Sequence, residues 1–164
     1  MNASLAQDEQ MMRVALEEAA KAPAIGEIPI GAVIIRGGEI LAKAHNYREI
    51  WQDPTAHAEI VAIRAAASTL GSWRLTETTL YVTVEPCAMC IGAIILARIP
   101  RLVFGTRDPK AGACGSVFDL ATDSWLNHRV LVTGGTLEGE CQALLQHFFR
   151  GLRAESVQTS DPST

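Results

Sequence analysis

The side chains of His57, Cys87 and Cys90 are of the types that bind soft metal ions in proteins. Imidazole nitrogen and thiolate sulfur suit zinc better than magnesium or calcium. Cys87 and Cys90 are three positions apart, so on a helix they share one face and can bind a single ion. Three protein ligands leave one position of a tetrahedral ion open, which is typical of catalytic rather than structural zinc. The residue types and their spacing therefore predict a catalytic zinc site.

Glu59 lies two residues after His57, so on a helical turn its carboxylate need not bind the metal and is free to move protons beside it. His-x-Glu followed by Pro-Cys-x-x-Cys is a signature of zinc enzymes that deaminate nucleobases. Each piece alone has an ordinary explanation, because a single Cys-x-x-Cys can be half of a structural zinc site or a redox pair. A different class of protein, a binding module in which zinc only holds the fold, needs a fourth ligand, and the other His and Cys residues form no second paired motif.

The elements that position these residues follow from hydrophobic periodicity and helix-end signals. Strands are predicted at 28–35, 39–45, 78–84, 102–105 and 130–133, and helices at 8–22, 53–70, 86–97 and 138–153. This order implies a three-layer α/β/α fold with a mixed, roughly five-stranded central sheet. The metal site is expected at one edge of the sheet, where the starts of two helices meet.

Length and composition indicate one globular domain. The chain has 164 residues, of which 48% are hydrophobic, and we assign residues 1–154 to a single zinc-dependent domain and the polar residues 155–164 to a disordered tail. No apolar run reaches the roughly 18–20 residues that span a membrane, and residues 1–10 lack the features of a signal peptide. Four cysteines, two of them in the metal motif, do not make a disulfide framework, which favours a reducing cytoplasm.

A loop at 106–116 combines basic residues with glycines. The net charge of −4 gives no sign of a basic nucleic-acid binder, but Arg107 and Lys110 belong to a local basic patch in which Asp108 is the acidic residue. Such a patch can bind phosphates, although an ordinary solvated surface explains the same pattern.

Three more residues are candidates for contact with a substrate. Asn46 follows the second strand, where it either forms a turn or presents its amide to a ligand beside the metal. Phe149 and Arg150, near the end of the last helix, offer a stacking ring beside a cation.

From about residue 10 to residue 153 the chain resembles the bacterial tRNA wobble adenosine deaminases. The most specific segments are 53–59, 79–90 and 103–116, supported by 127–129 and 148–150. The first two are similar to the wider cytidine-deaminase-like superfamily, and the others to its tRNA-acting branch.

This resemblance implies hydrolytic deamination of adenosine to inosine at the first anticodon position of tRNA. It implies one Zn²⁺ per subunit on His57, Cys87 and Cys90, with Glu59 as the proton shuttle. Asn46 would hold the flipped base or its ribose, and Asp108 with the nearby loop would contact the anticodon stem-loop. Members of the family are homodimers whose site borrows residues from the partner subunit.

A deaminase of a free base or nucleoside, such as guanine, cytosine or cytidine, would have the same metal site. The loop at 105–116 and the Phe149–Arg150 pair favour tRNA, because a small free base would not need them. The acidic net charge keeps the alternative open.

Overall fold

The computed structural model describes residues 3–159, within which five β-strands and five α-helices are found. The strands are β1 (Gly31–Arg36), β2 (Glu39–His45), β3 (Thr78–Val84), β4 (Arg101–Thr106) and β5 (Leu131–Gly134). The helices are α1 (Ala3–Ala19), α2 (Arg48–Trp51), α3 (Ala58–Leu70), α4 (Ala88–Leu96) and α5 (Glu138–Thr159). Among these described helices, none is both long enough and apolar enough to cross a membrane.

The strands form one mixed sheet in the order β2-β1-β3-β4-β5. β1 pairs antiparallel with β2 and β3, whereas β3, β4 and β5 run parallel. The β1–β2 turn is formed by Gly37 and Gly38, whose φ angles of 56° and 82° favour glycine. The predicted α/β fold with a mixed, five-stranded central sheet is confirmed.

The neighbouring strands β3 and β4 bury side chains on both faces of the sheet. Leu80 and Leu102 pack in the core that contains the apolar residues of α3 and α4. Their neighbours Tyr81 and Val103 point the other way and pack with α1 and with Cys141 of α5. This alternation produces the three layers and holds α3 and α4 together on one face of the sheet.

An ion pair fixes α1 at the end of the sheet where β4 begins. The carboxylate of Asp8 is 2% exposed, and it accepts two hydrogen bonds of 2.7 Å from the Arg101 guanidinium and one of 3.0 Å from the Tyr81 hydroxyl. Such a fully paired buried carboxylate anchors the helix without leaving an unsatisfied charge.

The predicted start of α3 near Asp53 is wrong. Asp53 accepts hydrogen bonds from the amide and hydroxyl of Thr55, at 2.8 and 2.7 Å, and so closes a local turn instead of capping a helix. The helix begins at Ala58, with His57 as its N-cap in extended backbone at φ −72° and ψ 155°. The short helix α2 was not predicted.

The predicted boundary of the tail is also wrong in part. α5 continues to Thr159, so residues 155–159 are helical rather than disordered. No proline lies between Arg153 and Pro162, so the sequence has no proline that would end the helix at residue 153. Residues 160–164 of the predicted tail lie outside the described residues.

Candidate active site

His57, Cys87 and Cys90 converge at the N-termini of α3 and α4. His57 Nδ1 lies 3.7 Å from Cys87 Sγ and 3.5 Å from Cys90 Sγ, and the three ligand atoms all lie within 4.8 Å of one another. Zinc bonded tetrahedrally to nitrogen and sulfur places those atoms about 3.6 Å apart. The donor set and its spacing therefore fit one zinc ion.

The two N-cap residues present their side chains to this cluster and not to their own helices. Neither His57 nor Cys87 makes a side-chain capping hydrogen bond, although each occupies the N-cap position. A capping side chain would bend back to the first backbone amides, so its absence leaves both side chains available as ligands. Two helix N-termini also bring partial positive charge to the site, which stabilises thiolates.

Protonation of the cluster is shared among its members. The hydrogen bond from Cys90 lowers the pKa of the Cys87 thiol to about 4. The same contact, together with burial, raises the pKa of Cys90. The hydrogen bond to Cys87 raises the pKa of His57. The lowered pKa of Cys87 favours its thiolate form, and a metal that binds all three groups displaces the remaining protons.

Glu59 is a buried carboxyl group beside the donor cluster. Its side chain lies in the first turn of α3 and is 4% exposed. Burial raises the pKa of Glu59, while its backbone amide, the charge of His57 and the Cys90 thiol oppose that shift. A carboxyl group in this environment can accept and return a proton, the chemistry of a general acid and base.

Asn46 performs the capping that His57 does not. It is 5% exposed, and its side-chain oxygen accepts a 2.9 Å hydrogen bond from the Ala58 amide, the first residue of α3. The helix uses one lone pair of this oxygen, and the amide nitrogen is a donor that a ligand can contact. The side chain thus caps a helix instead of forming the predicted turn, and contact of its amide with a ligand stays a prediction.

The basic loop and α5 enclose a cavity of about 370 Å³. It is lined by Ile28, Ile30, Val84, Arg107, Asp108, Pro109, Lys110, Leu145 and Phe149. Four of the predicted contact residues, Arg107, Asp108, Lys110 and Phe149, therefore share one surface. Arg150 is exposed on α5 and does not line this cavity. Val84 ends β3, three residues before Cys87, so the cavity reaches the strand that leads into the metal-binding segment.

Glu85 is a site residue that the sequence analysis missed. It is 2% exposed, and its carboxylate accepts hydrogen bonds from the amides of Asp108, Cys114 and Ser116 and from the Ser116 hydroxyl. Burial opposes ionisation, but these donors hold the pKa of Glu85 below its usual range. The sequence signal for this role was an acidic residue directly after a buried strand. A buried carboxylate at that position needs hydrogen-bond donors from another part of the chain.

Comparisons with known proteins find similar deaminases. A family model of MafB19-like deaminases matches residues 6–153. The tRNA-specific adenosine deaminase of Bacillus subtilis is 50% identical over 149 residues, which cover 91% of this chain and 92% of that protein. A solved structure from a study of A-to-I editing by tRNA:A34 deaminases at the wobble position of transfer RNA is 43% identical, with a TM-score of 0.79, and covers 82% of this chain and 97% of its own.

A second type of deaminase also resembles the chain. The solved structure of guanine deaminase from Bacillus subtilis is 37% identical, with a TM-score of 0.60. The alignment covers 73% of this chain and 72% of that structure. The fold is thus similar to those of deaminases that are named for different purines.

Proposed function

We infer the function from the family: the chain belongs to the tRNA-specific adenosine deaminases, and it converts adenosine to inosine at the wobble position of tRNA. The observation that carries this inference is the 50% identity with a named tRNA-specific adenosine deaminase across 91% of the chain. Since this is a family of enzymes, the alternative of a non-catalytic module held by zinc is wrong.

One zinc ion per subunit would be held by His57, Cys87 and Cys90. The approach of their ligand atoms to within 4.8 Å supports this assignment. An ion bound there supplies the Lewis acidity that lets a water molecule lose a proton near neutral pH.

Glu59 moves the protons of the reaction. It removes one proton from the attacking water and delivers it to the ring nitrogen next to C6 of adenine as the water oxygen bonds to C6. It then transfers the second water proton to the amino group, the C6–N bond breaks, and ammonia leaves. The water oxygen remains as the 6-oxo group of inosine, so the atoms balance. The burial of Glu59 beside the donor cluster supports this role.

The target nucleotide has to be turned out of a single-stranded loop, because the amino group of a stacked base cannot reach a pocket. The Asn46 amide would hold the base or its ribose. Arg107, Lys110 and Arg150 would contact phosphates of the anticodon stem-loop, and Phe149 would stack on a base. The shared cavity of Arg107, Lys110 and Phe149 supports this, as does the position of Asp108 on the same surface.

We propose that the enzyme is a homodimer. Large apolar side chains that remain exposed support an interface: Leu96 is 71% exposed, and Phe118 and Trp125 are 57% and 94% exposed. A 3.1 Å hydrogen bond from Arg98 to Asn127 joins the end of α4 to the segment that carries them. The proposed location is the cytoplasm, which keeps thiols such as Cys87 and Cys90 reduced.

A deaminase of free guanine is the second candidate, favoured by the 37% identical structure. Incubation of the protein with bulk tRNA, and separately with free guanine, adenosine and cytidine, distinguishes the two. We expect inosine at the first anticodon position and no ammonia from the free compounds, with Glu59→Ala as the inactive control. Ammonia from guanine without inosine in tRNA would assign the chain to the second candidate.

A further inference from the structure

We propose that Glu85 is a positioning residue for tRNA: it holds the loop at 106–116 against the metal-binding end of α4 and so presents Arg107, Asp108 and Lys110 to the substrate. The proposal rests on the proposed function, since it assigns a purpose to a contact between the catalytic segment and the substrate-binding loop.

The carboxylate of Glu85 is fully used by this one loop. One oxygen accepts the amides of Cys114 and Ser116 at 3.0 and 3.1 Å. The other accepts the Asp108 amide at 3.0 Å and the Ser116 hydroxyl. A carboxylate offers about four acceptor positions, and all four are filled by the loop. Glu85 is therefore an anchor and has no acceptor position left for proton transfer to a substrate.

Backbone contacts also join the loop to the segment that carries Cys87. The Ala113 amide donates to the Pro86 carbonyl at 2.9 Å, and Gly112 forms an isolated β-bridge with Cys87. A Cβ atom on Gly112 would collide with the Glu85 carboxylate and the Asp108 carbonyl. The absence of a side chain at Gly112 thus permits the approach that brings the loop to Glu85.

The contact with the Asp108 amide explains why the anchor bears on substrate binding. Asp108 lies between Arg107 and Lys110, and all three line the cavity beside α5. The Asp108 side chain accepts the Lys110 amide at 2.9 Å and the Ala111 amide at 3.2 Å, which makes this part of the loop a closed turn. Glu85 therefore holds the turn at its first residue. Without it, binding would have to order the loop, and that lowers affinity.

The test is Glu85→Gln, which preserves the shape but points an amide NH₂ at backbone donors. We expect the KM for an anticodon stem-loop to rise about tenfold, with kcat within about threefold of wild type. Zinc content should stay at one per subunit. Trypsin should cut after Lys110 several times faster, because the loop is released from its anchor.

Two further variants keep the test decisive. Ser116→Ala removes a single donor, so we expect smaller changes in the same direction, even if Glu85→Gln fails to fold. Asp8→Asn is the matched control: Asp8 is another buried carboxylate, paired with Arg101 at the opposite end of β4 from Thr106. It should lower Tm and leave both the KM and the rate of cleavage after Lys110 unchanged.

Wild-type KM and tryptic protection in both Glu85→Gln and Ser116→Ala would overturn the proposal. Equal changes in Asp8→Asn would overturn it too, because the effect would then be general destabilisation. If the wild-type protein produced no inosine, the proposed function would fall, while the comparison of tryptic cleavage would still decide whether Glu85 anchors the loop.

Discussion

The side-chain oxygen of Asn46 lies 2.9 Å from the backbone nitrogen of Ala58 and caps α3 from a different part of the chain. This leaves His57, the N-cap residue, free to point at the two cysteines. The relationship couples the orientation of a candidate metal ligand to a residue just after β2, and two roles of Asn46 can be tested by mutation.

Asn46→Ala removes both the capping oxygen and the amide nitrogen, whereas Asn46→Asp keeps an oxygen acceptor for the cap. We expect Asn46→Ala to lose about 1 kcal/mol of unfolding free energy and Asn46→Asp to lose little. Both should lose activity on the anticodon stem-loop if the amide contacts the nucleotide. Denaturant unfolding and inosine formation measure the two effects. Full activity in Asn46→Asp would show that the amide does not take part in substrate recognition.

Glu59→Ala should retain zinc, because the three ligands are unchanged, but lose at least about 10²-fold in kcat, the usual range for a lost general acid and base. Metal analysis and single-turnover inosine formation check the two parts separately. Turnover near the wild-type rate would show that another group moves the protons.

Cys87→Ala should lose both zinc and activity, since two remaining ligands hold the ion weakly. A chelator should likewise lower the Tm of the wild-type protein, because an ion bound to the native state stabilises it. Cys141→Ala is the control: this buried thiol packs on the other face of the sheet with Tyr81 and Val103. Full zinc occupancy in Cys87→Ala would mean that the ligand assignment is wrong.

Arg107→Ala and Lys110→Ala should each weaken tRNA binding and reduce its salt dependence. One phosphate contact in a single strand corresponds to about 0.7 in the slope of log K against log salt. Fluorescence titrations of an anticodon stem-loop at several salt concentrations measure the slope. Arg36→Ala is the control, because Arg36 pairs in register with Thr78 at the start of β3, away from the site. An unchanged slope in both loop variants would place the phosphates elsewhere.

Protonation of Asp8 in acid should lower the stability of the folded protein. Burial opposes its ionisation, but hydrogen bonds from Arg101 and Tyr81 outweigh burial and lower the pKa of Asp8 below its usual 3.8. A group whose pKa is lowered by folding stabilises the protein above the unfolded value, and this contribution is lost as pH falls through the folded value. We therefore expect Tm to drop more steeply from about pH 5 to about pH 3 in wild type than in Asp8→Asn. Parallel profiles would contradict the assignment.

The cluster of His57, Cys87 and Cys90 could be predicted from the sequence because each residue lies in a short motif whose spacing carries the chemistry. Most strands were also predictable, because β3 and β4 are apolar runs that stay buried on both faces. In both cases a few consecutive residues contain the necessary information.

The remaining features depend on contacts between distant parts of the chain. Asp53 and Thr55 look like a helix start, but the cap comes from Asn46, which no local pattern links to Ala58. Glu85 reads as an ordinary acidic residue until the loop 23 to 31 residues later supplies its donors. Local sequence patterns miss the roles of such residues, because they do not show which distant groups are in contact in the folded chain.

The placement of His57 and Cys87 at the last extended residue before each helix also has an evolutionary consequence. Both helices pack on the sheet, so the directions of the imidazole and the thiol are set by that packing. The surface turn at Asp53–Thr55 leads directly into this N-cap, because the Thr55 carbonyl accepts a 2.8 Å hydrogen bond from the His57 amide. A change in that turn would therefore reach His57 through the backbone, so we expect the turn and the donor cluster to be inherited together.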